Sequence, residues 1–138
     1  MDNRSKEARS RNMSRIPSKN TKPEEIVRKY LFSQGFRYHK NVSKLPGKPD
    51  IVLPKYKTVV FVNGCFWHAH QDCKWFVPPK SNSEFWTKKF VYNTERDQRN
   101  YNKLEELGWR VILVWECEIR HGNTLERLEK LVHQIKEV

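Results

Sequence analysis

Acidic residues are scarce in this 138-residue chain: 16 Asp and Glu stand against 27 Lys and Arg, a formal net charge of +11. The shortage excludes an acidic solvating tail and makes a polyanion the first partner to consider. Cysteine is scarcer still. Three thiols do not make a disulfide framework, and nothing in the sequence calls for an oxidising compartment. No apolar run approaches the roughly 20 residues of a membrane-spanning helix. No apolar stretch follows the charges of Met1-Asp2-Asn3-Arg4-Ser5-Lys6, so a signal peptide is not expected and the expected location is the cytoplasm. Internal repeats, low-complexity tracts and domain linkers are missing too, which leaves room for one domain. What the chain does have is aromatic rings. Five Trp, seven Phe and five Tyr are too many for a disordered polymer.

The positive charge is unevenly spread. Residues 1–49 hold 13 Lys and Arg against 4 Asp and Glu, whereas residues 50–138 hold 14 against 12. The leading stretch Arg4-Ser5-Lys6-Glu7-Ala8-Arg9-Ser10-Arg11 has almost nothing apolar to pack. It reads either as a basic arm that orders on a phosphate backbone or as a solvated terminus. Residues 1–20 are taken as the arm, and residues 21–138 as the folded domain.

Thr21-Lys22-Pro23-Glu24 has the pattern of a helix start, with Thr21 as N-cap and Glu24 at the capping-box position. Ile26, Val27, Tyr30 and Leu31 recur at helical spacing, and Gly35 supplies a left-handed stop. Phe36 to His39 alternates like a half-buried strand. Ile51–Leu53 and Thr58–Val62 are β-branched strands joined by a hairpin over Pro54–Lys57. A loop from Gly64 to about Asn82 is rich in His, Cys, Trp and Pro. A long amphipathic helix over Glu84–Leu107, a strand over Trp109–Trp115 and a closing helix around Leu125–Ile135 follow. The predicted order is α-β-β-β-α-β-α, an α/β fold with a mixed central sheet flanked by helices.

The cysteines form the pattern of a metal site. Cys65, His70 and Cys73 share one loop, and Cys117 follows the last strand. Three thiolates and one imidazole are a usual closed set for tetrahedral structural zinc. A loop this long and irregular would be ordered by such a clip. Spacing alone leaves the histidine open, since Cys65-x2-His68 fits as well as His70-x2-Cys73.

An acid stands at the mouth of the predicted sheet. Asp50 immediately precedes the strand Ile51–Leu53, and the next strand ends at Val62-Asn63-Gly64. Restriction-type nucleases place an Asp there, with an acid-x-Lys set on the following strand, so that hard carboxylate oxygens hold Mg²⁺ against a phosphate. The acid-x-Lys half is missing, and an Asp after proline is otherwise an ordinary turn residue.

Several segments resemble the very-short-patch repair (Vsr) endonuclease family, in its order and spacing. They are Pro46-Gly47-Lys48-Pro49-Asp50, the run Phe61 to His68, Glu84-Phe85-Trp86, Asn93-Thr94-Glu95-Arg96-Asp97, and Leu107 to Cys117. The resemblance runs from Ser10-Arg11-Asn12-Met13 to about Arg120. It implies a restriction-endonuclease-like core with a structural zinc. The implied activity is Mg²⁺-dependent nicking 5′ of the thymine in T·G mismatches left by deamination of 5-methylcytosine. Asp50 matches the Mg²⁺ ligand, with the backbone carbonyl of Val62 as a second; a main-chain oxygen is a hard ligand whatever the side chain, which explains the missing acid. His68 matches the residue that activates water, and Glu24 a supporting acid. Cys65, His70, Cys73 and Cys117 match the zinc ligands. Phe66, Trp67 and Trp86 match an aromatic wedge that enters the base stack. Met13, Lys89 and Asn93, with Arg9 and Arg11 of the basic arm, are the further DNA contacts implied.

The chain departs from the family pattern at three places. His68-Ala69-His70-Gln71-Asp72-Cys73 replaces a longer histidine run, Asn63 stands in place of a histidine, and Val62 in place of a threonine. Val62 keeps its carbonyl; Asn63 removes an imidazole near the phosphate. The expected partner is double-stranded DNA with a T·G mismatch, with other mismatch-repair proteins as further partners, no membrane, and a monomeric state. Two alternatives stand beside this reading: a zinc-stabilised binder of distorted DNA without cleavage, and a nuclease of the same fold directed at another lesion. Binding alone would need neither Asp50 nor His68.

Overall fold

A computed structural model describes residues 21–137. The proposed arm over residues 1–20, with Arg9, Arg11 and Met13, lies outside the described residues. The elements are α1 (Lys22–Ser33), β1 (His39–Lys40), β2 (Ile51–Leu53), a 3-10 turn (Pro54–Tyr56), β3 (Thr58–Asn63), α2 (Ser83–Glu106), β4 (Arg110–Trp115), α3 (Glu116–Arg120) and α4 (Thr124–Lys136). The four strands form one sheet in chain order. β1/β2 and β2/β3 are antiparallel, and β3/β4 are parallel, joined by a crossover that contains α2.

The alternation along the strands distributes the core over both faces. Ile51, Leu53, Val60, Val62, Ile112 and Val114 pack against Val27 and Leu31 of α1, Ile119 of α3, and Leu128, Leu131 and Ile135 of α4. Their neighbours in register, Val52, Val59 and Phe61, pack with Leu104 of α2, and Tyr101, Val111 and Leu113 close over them. The result is three layers, with helices on both sides of the sheet. Among the described residues no helix is long and apolar enough to cross a membrane.

Two segments differ from the sequence pattern. Only His39 and Lys40 pair as a strand, because Phe36 is still engaged in ending α1. Its N–H donates to the Leu31 carbonyl at 3.0 Å while Gly35 sits at φ +89°, and its ring is buried in the core. The other difference follows β4, where the chain turns directly into the short helix α3, an element the sequence pattern does not predict, so Cys117 lies in a helical first turn.

Arg110 fixes the end of α4. Its guanidinium donates to the carbonyls of Gln134 (3.0 Å) and Ile135 (2.6 Å), and to Thr58 Oγ1 (3.2 Å). A cation on the last carbonyls of a helix complements the negative end of its dipole.

Candidate active site and metal centre

The cleft opens where β3 ends and the chain has no more ladder bonds to make. It is lined by Asn41, Gly47, Lys48, Asp50, Val62, Asn63, His68, Arg96, Asp97, Asn100 and Tyr101. At Gly47 (φ +75°) a side chain would meet Asn100 Cβ at 3.1 Å and the Phe61 ring at 3.2 Å, so only glycine lets this loop lie so close to α2. Lys48 follows at φ +51° and lines the cleft as a cation.

Asp50 is buried at the start of β2. Its Oδ2 accepts the Val62 N–H at 2.7 Å, which ties the carboxylate to the end of β3. Glu24, on the first turn of α1, lies against it and is itself buried; its Oε2 accepts from Arg28 Nη1 at 3.1 Å. Burial is the main reason that the Asp50 carboxyl is pushed up to about 8, and the neighbouring Glu24 adds to it, against the Val62 N–H and Arg28. Two carboxyls this close favour sharing a proton over holding two bare charges.

This has a consequence for stability. Asp50 takes up a proton on folding, so its contribution is fully present below its ordinary value near 4 and is lost as pH rises toward about 8. Without added divalent cation, the melting temperature of the parental protein should fall relative to that of an Asp50→Asn protein over this window, by several degrees. Parallel melting curves of the two proteins between pH 4 and pH 8 would refute the shift.

His68 comes from the loop after β3. Its Nδ1 meets Asp97 Oδ2 of α2 at 2.5 Å, and Asp97 Oδ1 accepts from Arg96 Nη2 at 3.1 Å. A carboxylate at Nδ1 fixes the ring with that nitrogen protonated, which leaves Nε2 as the basic atom. The loop backbone is held on both sides of the ring: His68 N–H donates to the Gly64 carbonyl at 3.2 Å, and Asn93 Nδ2 donates to the Trp67 carbonyl at 3.0 Å. Arg96 and Asp97 lie in a segment that carries the family resemblance, yet the resemblance implies no task for them. The available signal was an acid one face of a long helix away from a histidine-rich loop.

The second cluster lies beside the first. One ligand atom each from Cys65, His70, Cys73 and Cys117 falls within 4.8 Å of the others. His70 Nδ1 stands 3.6 Å from Cys65 Sγ and 3.5 Å from Cys117 Sγ. Zn–S bonds of about 2.3 Å and a Zn–N bond of about 2.05 Å at the tetrahedral angle would set these atoms about 3.6 Å apart. The set therefore fits a tetrahedral metal of zinc's size. His70 is held by Trp115, whose ring stacks on it at 3.8 Å and 6°, and burial lowers its pKa, favouring the neutral imidazole that a metal binds. Here the structure decides between the two histidines: His70 joins the thiols, and His68 turns to Asp97.

Phe66 and Trp67 stand between the two clusters in the chain. Phe66 packs edge-on against Trp67, Trp86 and Phe90 at 5.0–5.5 Å between centroids. Trp86 is buried, while Phe66 and Trp67 are half-buried. Lys89 is exposed, its ammonium 5.9 Å from the Tyr92 ring. Asn93 is buried, and its visible task is the hydrogen bond to Trp67.

A buried carboxyl pair, an imidazole held by a carboxylate at Nδ1, and the cations Lys48 and Arg96 on the cleft walls define a hydrolase for a polyanionic substrate. The family model for the DNA mismatch endonuclease Vsr matches residues 1–75. The chain is 41% identical to the DNA mismatch endonuclease Vsr of Escherichia coli over 133 residues, which cover 92% of this chain and 85% of the relative. It is 55% identical over 126 residues to the type II nicking enzyme V.NmeAIP of Neisseria meningitidis, covering 91% of this chain and 89% of the relative. It is also 45% identical to the type II nicking enzyme V.XorIIP of Xanthomonas oryzae, covering 91% of each. The chain belongs to the Vsr family of DNA mismatch endonucleases, and its substrate is DNA.

Proposed function

We propose that this endonuclease makes a strand-specific, Mg²⁺-dependent nick 5′ of the thymine in T·G mismatches arising from deaminated 5-methylcytosine, using a restriction-endonuclease-like core. The observation that carries the reading is the meeting of Asp50, Val62 and His68 at one cleft. The Asp50 carboxylate and the Val62 main-chain carbonyl are hard oxygen donors suited to Mg²⁺. When bound, the cation would neutralise phosphate charge and stabilise the leaving oxygen.

Glu24, paired with Arg28, sets the charge and position of Asp50. His68 accepts the proton of the attacking water at Nε2, and Asp97 stabilises the resulting imidazolium. Lys48 and Arg96 attract the backbone into the cleft. Zinc at Cys65, His70, Cys73 and Cys117 anchors the loop that carries His68 and does no chemistry, because four protein ligands leave no open position.

The remaining sequence assignments belong to the same proposal. Phe66 and Trp67 enter an opened base step; Trp86, expected from the sequence as a third ring of the wedge, is buried and acts instead by packing against Phe66. Lys89 contacts the backbone, and Asn93 acts through the loop that it holds. The basic arm, with Arg9, Arg11 and Met13, adds phosphate contacts. The enzyme acts as a monomer in the cytoplasm on nucleoid DNA, with other mismatch-repair proteins as partners.

The test is a nicking assay on duplexes that differ only at one base pair, with the cut mapped. The T·G duplex should be nicked 5′ of the thymine in Mg²⁺, and the matched duplex far more slowly. Equal cutting of another mismatch would overturn the specificity, and binding without any cut would overturn the chemistry.

A further inference from the structure

The chemistry proposed for Asp50 and His68 leaves Tyr101 unused. It projects from α2 one helical turn after Asp97, on the same face, and lines the cleft with it. Asn63, the last residue of β3 and only 2% exposed, donates from Nδ2 to the Tyr101 hydroxyl oxygen at 2.9 Å. The ring is fixed from the other side by Phe61, at 5.0 Å between centroids and 62° between planes. The phenol oxygen is thus an acceptor, and its own O–H makes no hydrogen bond among the described residues. Burial, together with the charges of Asp97 and Asp50, pushes the phenol up to about 12, so the group keeps its proton at neutral pH. A protonated hydroxyl, oriented by a buried amide and aimed into a phosphate-attracting cleft, is a preorganised donor for an oxygen that gains negative charge.

We propose that Tyr101, oriented by Asn63, is a further catalytic residue of this enzyme. Its hydroxyl donates a hydrogen bond to a non-bridging oxygen of the phosphodiester being cut. Asn63 is a positioning residue that acts through it. The inference rests on the reading that this cleft cleaves DNA, and it adds a donor to that chemistry.

The test is single-turnover nicking of the T·G duplex by the parental, Tyr101→Phe, Asn63→Ala and doubly substituted proteins, with duplex affinity and melting temperature measured alongside. Tyr101→Phe keeps the ring against Phe61, so affinity should hold while the rate falls by about 10²-fold, the scale of losing one oriented donor, and the melting temperature drops modestly because the buried Asn63 amide loses its acceptor. Asn63→Ala should also slow the reaction, and the double substitution should be no slower than Tyr101→Phe alone. A Tyr101→Phe protein that nicks at the parental rate, or loses affinity instead of rate, overturns the inference. So does full multiplication of the two single effects. A parental protein that does not nick overturns the functional reading itself, which separates the two failures.

Discussion

Asp50→Asn should abolish nicking of a mismatched duplex while the protein still binds DNA. The substitution keeps shape and the ability to accept from the Val62 N–H, and removes the carboxyl that would give up its proton to hold a hard cation at the end of β3. Loss of folding cannot account for the expected result. Asp50 is protonated in the folded protein up to about pH 8, so a neutral amide is no worse tolerated there than the acid. His68→Ala should cost on the order of 10²–10⁴ in rate, the usual yield of a positioned base. Both proteins should retain a metal at the cysteine cluster. Parental nicking by Asp50→Asn in Mg²⁺ would end the catalytic reading, whatever the family.

The second large effect belongs to the metal centre. Protein purified without added zinc should carry about one equivalent, and Cys117→Ala should lose it along with most activity and stability. Structural zinc contributes roughly 10–16 kcal/mol in small domains, as much as the whole net stability of a typical fold. Two kinds of loss combine here. Cys117 ties α3 to the loop through the same cluster that holds Cys65, His70 and Cys73, and His68 lies between two of those ligands. Releasing the clip therefore frees the base as well as the fold. A Cys117→Ala protein that is folded, fully active and free of metal would refute this role.

The neighbouring positions 68 and 70 illustrate why the two sites need each other. His68 N–H is pinned to the Gly64 carbonyl and His70 N–H to the Cys65 carbonyl, so the loop winds back on the end of β3. Ala69, between them at φ +46°, reverses the direction of the chain. One imidazole is thereby sent to the thiols and the other to Asp97. The turn is strained at Ala69, and a metal held by the four flanking ligands would supply the constraint that keeps it.

The sequence by itself determined the elements whose signal is local. β-branched runs gave β2, β3 and β4, the 3.6-residue spacing gave α1, α2 and α4, and the spacing of three thiols around histidines marked the cluster that could bind a metal. It also determined Asp50 as the acid before a strand and the uneven spread of charge. Tertiary structure decided what depends on residues far apart in the chain. It assigned His70 rather than His68 to the thiols, brought Glu24 of α1 against Asp50, supplied Asp97 to His68 across 29 positions, and aimed Asn63 at Tyr101 across 38. It also shortened β1 to two residues, because Phe36 gains more from burial against the end of α1 than from pairing at a sheet edge. Helices and strands repeat with fixed periods that a sequence records. Which side chains meet in a cleft is set by how those elements pack, and no period along the chain encodes it.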